Sequence, residues 1–491
     1  MKINPMLLTD YYKISHRIMA EKGIQKTYST FTPRASRIEN INSVVFFGLQ
    51  GFIKEYLIEY FNDNFFNRNK QDVITEYKRI IKYTLGENCA DTDHIEKLHD
   101  LGYLPIKIRA LKEGTTASIR VPLFTIENTH DDFHWLTNYI ETLTSACMWK
   151  PITTTTIVKR YREICEEWTE KTSDTKDHIQ WQCHNFSYRG MSGNEDAITT
   201  GAGQLLYFTG TDTIPSICYL EEYYNANVEN ELVGASVIAS EHSIQCQYKD
   251  DLKYLTKMLT EIVPEGIVSI VSDGYDYWNV IGNIIPQLKN IIINRNGKTV
   301  LRPDSGDPVK IICGDAESTD KLIRKGSIEA LWDIFGGTIN SKGYKVLNPH
   351  ISLIYGDAIT LERAERIFNL LEYKGFSSEN VVFGIGSYSL GYHTRDSLGI
   401  AIKATQVIIN GEEVNIFKDP KTDSDKIKKS QKGRIVVVKD ENGKINYIDE
   451  LTIAQQEKYK DINLLEDVFV DGKLLRDESL TGIRERVLSN M

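Results

Sequence analysis

A chain of 491 residues exceeds what one hydrophobic core usually organises, which predicts two large domains. Hydrophobic residues at 41% and charged residues at 26% describe an ordinary globular protein, and no apolar run is long enough for a membrane helix or a secretory signal. A formal net charge of −10 argues against general attraction to nucleic acid or anionic membrane, so cations that handle phosphate must be concentrated at special positions.

Up to about residue 145 the sequence mixes short β-rich runs (Thr27 to Phe31, Ile106 to Leu111, Leu123 to Glu127) with helical text such as Leu49 to Phe61. His130 and His134 share a helical spacing, but no third metal ligand lies nearby. From Thr153 to Lys171, apolar residues at Ile157, Tyr161, Ile164, Cys165 and Trp168 predict a long amphipathic helix. The seven cysteines (89, 147, 165, 183, 218, 246, 313) include no CxxC pair, which fits a reducing, cytoplasmic compartment rather than a disulfide framework.

From about 180 to 390 the texture changes to apolar runs closed by polar, glycine-bearing turns. Gly266 to Val271 ends in Ser272-Asp273-Gly274. Ile351 to Tyr355 ends in Gly356-Asp357 and leads into a helix with Leu361, Ala364, Ile367, Phe368 and Leu371 on one face. Val381 to Phe383 ends in Gly384-Ile385-Gly386-Ser387. Strand, turn and helix in repetition predict parallel strands with crossover helices, and functional residues just after each strand. Strand-like text returns from Ala401 to Ile409 and Val414 to Phe417 around an Asn410-Gly411 turn. Between Lys418 and Arg434 runs a loop with six lysines, read as a solvated loop or as a cationic flap over phosphates. The predicted organisation is 1–145 and 391–491 as two parts of one mixed domain, with 146–390 as a barrel-like catalytic domain.

The post-strand turns supply Arg189, Asp212, Glu241-His242-Ser243, Asp273, Arg302-Pro303-Asp304-Ser305-Gly306, Gly356-Asp357 and Gly386-Ser387. Glycine turns present N–H groups to anions, arginine grips phosphate in pairs of hydrogen bonds, and carboxylates accept from ribose hydroxyls or hold magnesium. Each carboxylate alone also reads as a cap or turn residue, and a glycosidase-like carboxylate pair would leave the arginines and glycines without a purpose.

Together with Thr9-Asp10-Tyr11-Tyr12-Lys13-Ile14-Ser15-His16, these segments resemble the nicotinamide phosphoribosyltransferase family over nearly the whole chain, as far as Lys432-Gly433-Arg434. Arg-Pro-Asp-Ser-Gly, Phe-x-Gly-Thr-Asp-Thr and Glu-His-Ser, in order, carry the resemblance. It implies an α/β fold: an irregular (β/α) barrel of the type II phosphoribosyltransferases with a second mixed α+β domain built from both chain ends. It further implies a homodimer with the site at the subunit interface, nicotinamide, phosphoribosyl pyrophosphate and ATP as substrates, and Mg²⁺ as cofactor.

By the same resemblance, Phe186 and Tyr12 of a second subunit sandwich the pyridine ring, and Asp212 accepts from the carboxamide. Asp10 and Arg189 are further substrate contacts. Arg302, Asp304, Gly356 and Asp357 meet ribose and phosphate, while Gly386, Ser387 and Arg395 cradle phosphate. His242 is the phosphorylated histidine, with Asp273 in the catalytic set, and Arg34, Lys403 and Lys418 hold pyrophosphate or nucleotide phosphates. The family's loop commonly has three adjacent glycines where this chain has Gly386-Ser387-Tyr388, so any position there needing φ > 0 becomes costly. The neighbouring reading is a nicotinate phosphoribosyltransferase, from which Asp212 discriminates.

Overall fold

The computed structural model describes residues 3–356, 358–419, 422, 429–489 and 491. The chain divides into two compact units. One comprises Met1–Thr156, Tyr219–Ala226 and His393–Asn490; the other comprises Ile157–Cys218, Asn227–Tyr392 and Met491.

The first unit is organised by a seven-stranded antiparallel sheet. Its strands run in the order Glu412–Asn415, Ile400–Ile409, Ile24–Pro33, Phe124–Asn128, Ile106–Ala110, Glu466–Val470, Lys473–Leu474. Ile24–Pro33 lies inside the sheet and is buried from Thr27 to Pro33, and its Phe31 ring stacks on Phe124 with centroids 4.4 Å apart. The segment Tyr219–Ala226 joins this unit through specific bonds. The Tyr223 carbonyl accepts from Gln50 and Lys54, and the Tyr224 hydroxyl meets buried Glu113 at 3.0 Å. Burial, reinforced by Glu478, pushes the Glu113 carboxyl up to about 7. No local pattern announces this excursion, because its partners lie more than a hundred residues away.

The second unit holds six parallel strands in the order Cys183–Asn185, Val381–Ile385, Ile351–Tyr355, Gly297–Arg302, Gly266–Val271, Ile238–Ala239. Parallel bridges Asn185↔Thr211 and Gly210↔Ala235 then connect the first strand to the approach of the last, so the sheet curls round. This is the α/β barrel architecture expected from the strand–turn–helix repeats. The crossover helix Leu361–Tyr373 buries Ala364, Ile367, Phe368 and Leu371, and its N-cap Thr360 accepts from the Arg363 N–H. Phe368 meets Phe383 of the sheet at 4.8 Å. The predicted amphipathic helix is longer than its apolar pattern, running from Glu141 to Thr172 with Pro151 inside it.

The end of the strand from Val381 also differs from the sequence reading. Strand pairing continues through Gly384 and Ile385, opposite His184 and Asn185, so the turn begins only at Gly386. Gly384 is required by close approach, since a Cβ there would lie 2.7 Å from the Tyr355 carbonyl and 2.8 Å from the Phe186 ring.

Arg434, the last residue of the family-like pattern, is a buried structural group. Its guanidinium bonds Glu127 at 2.7 Å and Gln406 at 3.1 Å, and lies 4.5 Å from the Tyr28 ring centroid. Removing one partner of such a pair leaves the other charge buried. Arg434→Met should therefore destabilise the protein by about 3 kcal/mol, read as a lower midpoint in denaturant unfolding, and adding Glu127→Leu should recover part of the loss.

Candidate active site

The parallel strands deliver their C-terminal ends, and the turns that follow them, to one end of the sheet. Phe186 follows Asn185 and is fixed by its N–H donating to the Ile385 carbonyl at 2.9 Å. Asp212 is placed by its own N–H donating to the Asn185 carbonyl at 3.0 Å. Arg302 ends its strand, with Nη2 donating to the Ser240 carbonyl at 2.5 Å and the guanidinium 5.7 Å from the Phe186 ring centroid. Its Nε lies 3.8 Å from Asp304 Oδ1.

These groups border a cavity of about 350 Å³ inside the curled sheet. His184, Phe186, Asp212, Ser236 and Arg302 line one part of it, Val300, Ile354 and Val382 form apolar wall, and Lys298 and Glu379 line it as well. A mostly apolar cleft with a few convergent polar groups is the common form of a small-molecule site.

Asp212 is charged within this cavity. Oδ1 accepts from His184 Nε2 at 2.8 Å and from Ser236 Oγ at 2.8 Å. Burial alone would raise its carboxyl, but the His184 bond and charge, Ser236 and Arg302 outweigh it and hold the group below the usual carboxylate value.

A second network ties three turns together. Asp273, whose side chain is 2% exposed, accepts at Oδ1 from His242 Nε2 at 2.9 Å. Its Oδ2 accepts from the Asp304 N–H at 2.9 Å, the Ser305 N–H at 2.8 Å and the Ser305 hydroxyl at 2.5 Å. His242 opens the helix His242–Tyr248 and is 45% exposed.

Gly356 sits where a Cβ would come within 1.8 Å of Asp304 Oδ1, and Gly190 where one would come within 2.0 Å of Ser387 Oγ. Both glycines therefore admit a neighbouring side chain. Gly386 has φ −95° and Ser387 starts the short helical turn Ser387–Leu390. Neither Ser387 nor Tyr388 takes a positive φ, so replacing the family's glycines there carries no backbone penalty. Arg189 is exposed in the turn Tyr188–Gly190. Asp357 lies outside the described residues.

Residues 181–472 match the nicotinate phosphoribosyltransferase (NAPRTase) family, more than half of the chain. The chain belongs to that family. Residues 4–108 also match the N-terminal domain of nicotinamide phosphoribosyltransferase. A protein of Acinetobacter baylyi named nicotinamide phosphoribosyltransferase is 45% identical, over 100% of this chain and 98% of its own. One of the same name from Mycoplasma genitalium is 34% identical, over 87% and 94%. The nicotinate-nucleotide pyrophosphorylase of Pyrococcus furiosus shares the fold, with a TM-score of 0.60 at 14% identity, over 99% of this chain and 95% of that one.

The other predicted residues of this family member fall in the first unit. Tyr12 is 57% exposed on the helix Tyr11–Met19, and Asp10, at its N-cap, accepts from Thr142 at 2.7 Å. Lys13 and Lys403 both pair with Glu141, the latter at 3.5 Å. Burial, opposed by Glu141, lowers the Lys403 ammonium below its usual value, and Arg34 and Lys13 add to that lowering. Arg34 Nε donates to the Gly399 carbonyl at 3.0 Å. Arg395 is half exposed, 3.8 Å from Asp396. Lys418 is exposed, and its N–H donates to Ser430 Oγ at 2.9 Å, while 420, 421 and 423–428 of the lysine-rich loop lie outside the described residues.

Sequence reasoning missed His184, Ser236, Lys13 and Glu141. His184 was within reach: it lies two residues before Phe186, and strand alternation puts such neighbours on one face. Ser236 and Glu141 carry no local signal.

Asp273 also makes a pH-dependent contribution. Burial would raise its carboxyl, but Ser305, Asp304 and His242 hold it below the usual 3.8. A depressed carboxyl stabilises the fold above its unfolded value, and that contribution is lost as pH falls through the folded value. Asp273→Asn should cost about 2 kcal/mol at neutral pH, and the deficit in thermal midpoint should narrow as the wild type is acidified below the usual carboxylate value.

Proposed function

We propose that this protein is a nicotinamide phosphoribosyltransferase, forming nicotinamide mononucleotide and pyrophosphate from nicotinamide and phosphoribosyl pyrophosphate in NAD salvage. The observation that carries the reading is Asp212, a carboxylate held ionised on a cavity beside Phe186 and Arg302. An ionised acceptor suits a carboxamide N–H and repels the carboxylate of nicotinate, which disfavours the neighbouring reading. The two bacterial relatives named for nicotinamide support the same choice.

In the reaction, the pyridine nitrogen attacks the anomeric carbon as the bond to the pyrophosphate oxygen breaks. No protein nucleophile is needed. Phe186 supports one face of the ring, with Tyr12 from a second copy of the chain on the other; the exposure of Tyr12 suits such a role. Asp304 and Gly356, and Asp357 by resemblance, bind the ribose and its phosphate; Arg302, Arg189, Gly386, Ser387 and Arg395 stabilise phosphate charge. Arg34, Lys403 and Lys418 serve the pyrophosphate or nucleotide phosphates, and Asp10 is a further substrate contact by resemblance. The described residues contain no cluster of three or more potential metal ligands. Magnesium needs none, because it is commonly held by one or two carboxylates and substrate phosphates, and bound there it would neutralise departing charge.

His242 is the candidate phosphate acceptor from ATP. Asp273 accepts the proton side of Nε2, which leaves Nδ1 as the nucleophile on a half-exposed ring. Transfer breaks the bond from the γ-phosphorus to the bridging oxygen, forms the N–P bond and releases ADP. The reading places the enzyme in the cytoplasm. All seven cysteines are free, and no described helix is long and apolar enough to cross a membrane.

Pyrophosphate release with each base tests the assignment. Wild type should prefer nicotinamide, and Asp212→Asn should lower the nicotinamide-to-nicotinate ratio of kcat/KM by at least about tenfold. An unchanged ratio removes Asp212 as the selector. Incubation with γ-labelled ATP and Mg²⁺ should leave an acid-labile, base-stable label that His242→Ala abolishes. That variant should retain ATP-independent synthesis, and a wild type that is never labelled overturns the phosphohistidine.

A further inference from the structure

Asp212 has two oxygens with different surroundings. Oδ1 takes both hydrogen bonds, from His184 Nε2 and Ser236 Oγ, each at 2.8 Å. Among the described residues Oδ2 receives none, and the side chain borders the cavity. An ionised carboxylate only accepts, so the His184 proton in this contact sits on Nε2.

The imidazole itself is tightly seated. Its ring lies against Phe186 with centroids 4.6 Å apart at 36°. Its Nδ1 side faces Gly210, where a Cβ would come within 2.8 Å of Nδ1. A side chain at 210 would push the ring away, so glycine here is what lets the histidine reach Asp212. Ser236 offers a neutral hydroxyl that rotates freely, whereas the seated ring donates in one direction.

We infer that His184 is a positioning residue that sets the choice between amide and acid at this site, by holding Asp212 through Oδ1 so that Oδ2 faces the base. It acts without touching the reacting atoms. Loss of its N–H leaves only the rotatable Ser236 hydroxyl on Oδ1, so the carboxylate is no longer aimed, accepts less well from an amide and opposes an acid less directly. The same ring buttresses Phe186, so it aligns the stacking surface together with the selecting charge. This inference rests on Asp212 as the base-selecting group.

The test separates the hydrogen bond from the packing. His184→Phe keeps a ring against Phe186 but has no donor, and His184→Gln keeps an N–H within reach of Oδ1. In His184→Phe the nicotinamide-to-nicotinate ratio of kcat/KM should fall at least about tenfold, mainly through the KM for nicotinamide. His184→Gln should stay within about threefold of wild type. Gly210→Ala, which displaces the ring with His184 intact, should reproduce the loss and serves if His184→Phe does not fold. A ratio unchanged in His184→Phe or Gly210→Ala overturns the inference, as does a His184→Gln protein as impaired as His184→Phe. Asp212→Asn is assayed in parallel. If it moves the ratio while His184→Phe does not, only the role of His184 fails; if neither moves it, the reading of Asp212 fails first.

Discussion

The turns at the C-terminal ends of the second unit's parallel strands depend on one buried carboxylate. Asp273 follows the strand Gly266–Val271 and accepts from the turns after the two strands that flank it, through His242 on one side and Asp304 and Ser305 on the other. Parallel pairing brings these turns near each other, but pairing alone does not orient their side chains. A carboxylate taken out of water is costly unless its lone pairs are filled, and here four donors fill them. The same bonds hold His242 in one tautomer and fix the turn that carries Asp304, so the charge that is expensive to bury is also what orders these turns.

Arg302 extends that order across the sheet. Its bond to the Ser240 carbonyl fixes it beside the segment leading to His242, and its guanidinium faces the Phe186 ring. One arginine thereby connects the Asp273 network with the cavity, while its charge contributes to the low carboxyl value of Asp212. Two electrostatic centres, one around Asp273 and one around Asp212, are held by the short reach between neighbouring strand ends.

The glycines have a part beyond the one their sequence suggested. Gly356, Gly384 and Gly190 lie where a Cβ would strike Asp304, Phe186 or Ser387, so they also let these side chains approach the backbone. Because the segment after Gly386 forms a helical turn at ordinary φ, serine and tyrosine are accommodated where the family commonly has glycine. Lys403, read as a phosphate ligand, also has a structural neighbour, since it shares Glu141 with Lys13, and Arg434 at the end of the family-like pattern is engaged by Glu127, Gln406 and Tyr28.

The sequence by itself determined the parallel strands, the crossover helices and the identity of most post-strand residues. Those features are local: an apolar run, a polar turn and a helical face are each encoded within about twenty residues. The helix face at Ala364, Ile367, Phe368 and Leu371 was legible for that reason. Only the tertiary structure decided that Tyr219–Ala226 packs with the first unit, that pairing runs on to Ile385, and that His184 and Ser236 meet at one oxygen of Asp212. That meeting depends on single bridges at Asn185↔Thr211 and Gly210↔Ala235, too short to leave an alternating pattern. Register between distant strands is set by the closing of the sheet, and a one-residue slip would turn each of these side chains to the other face.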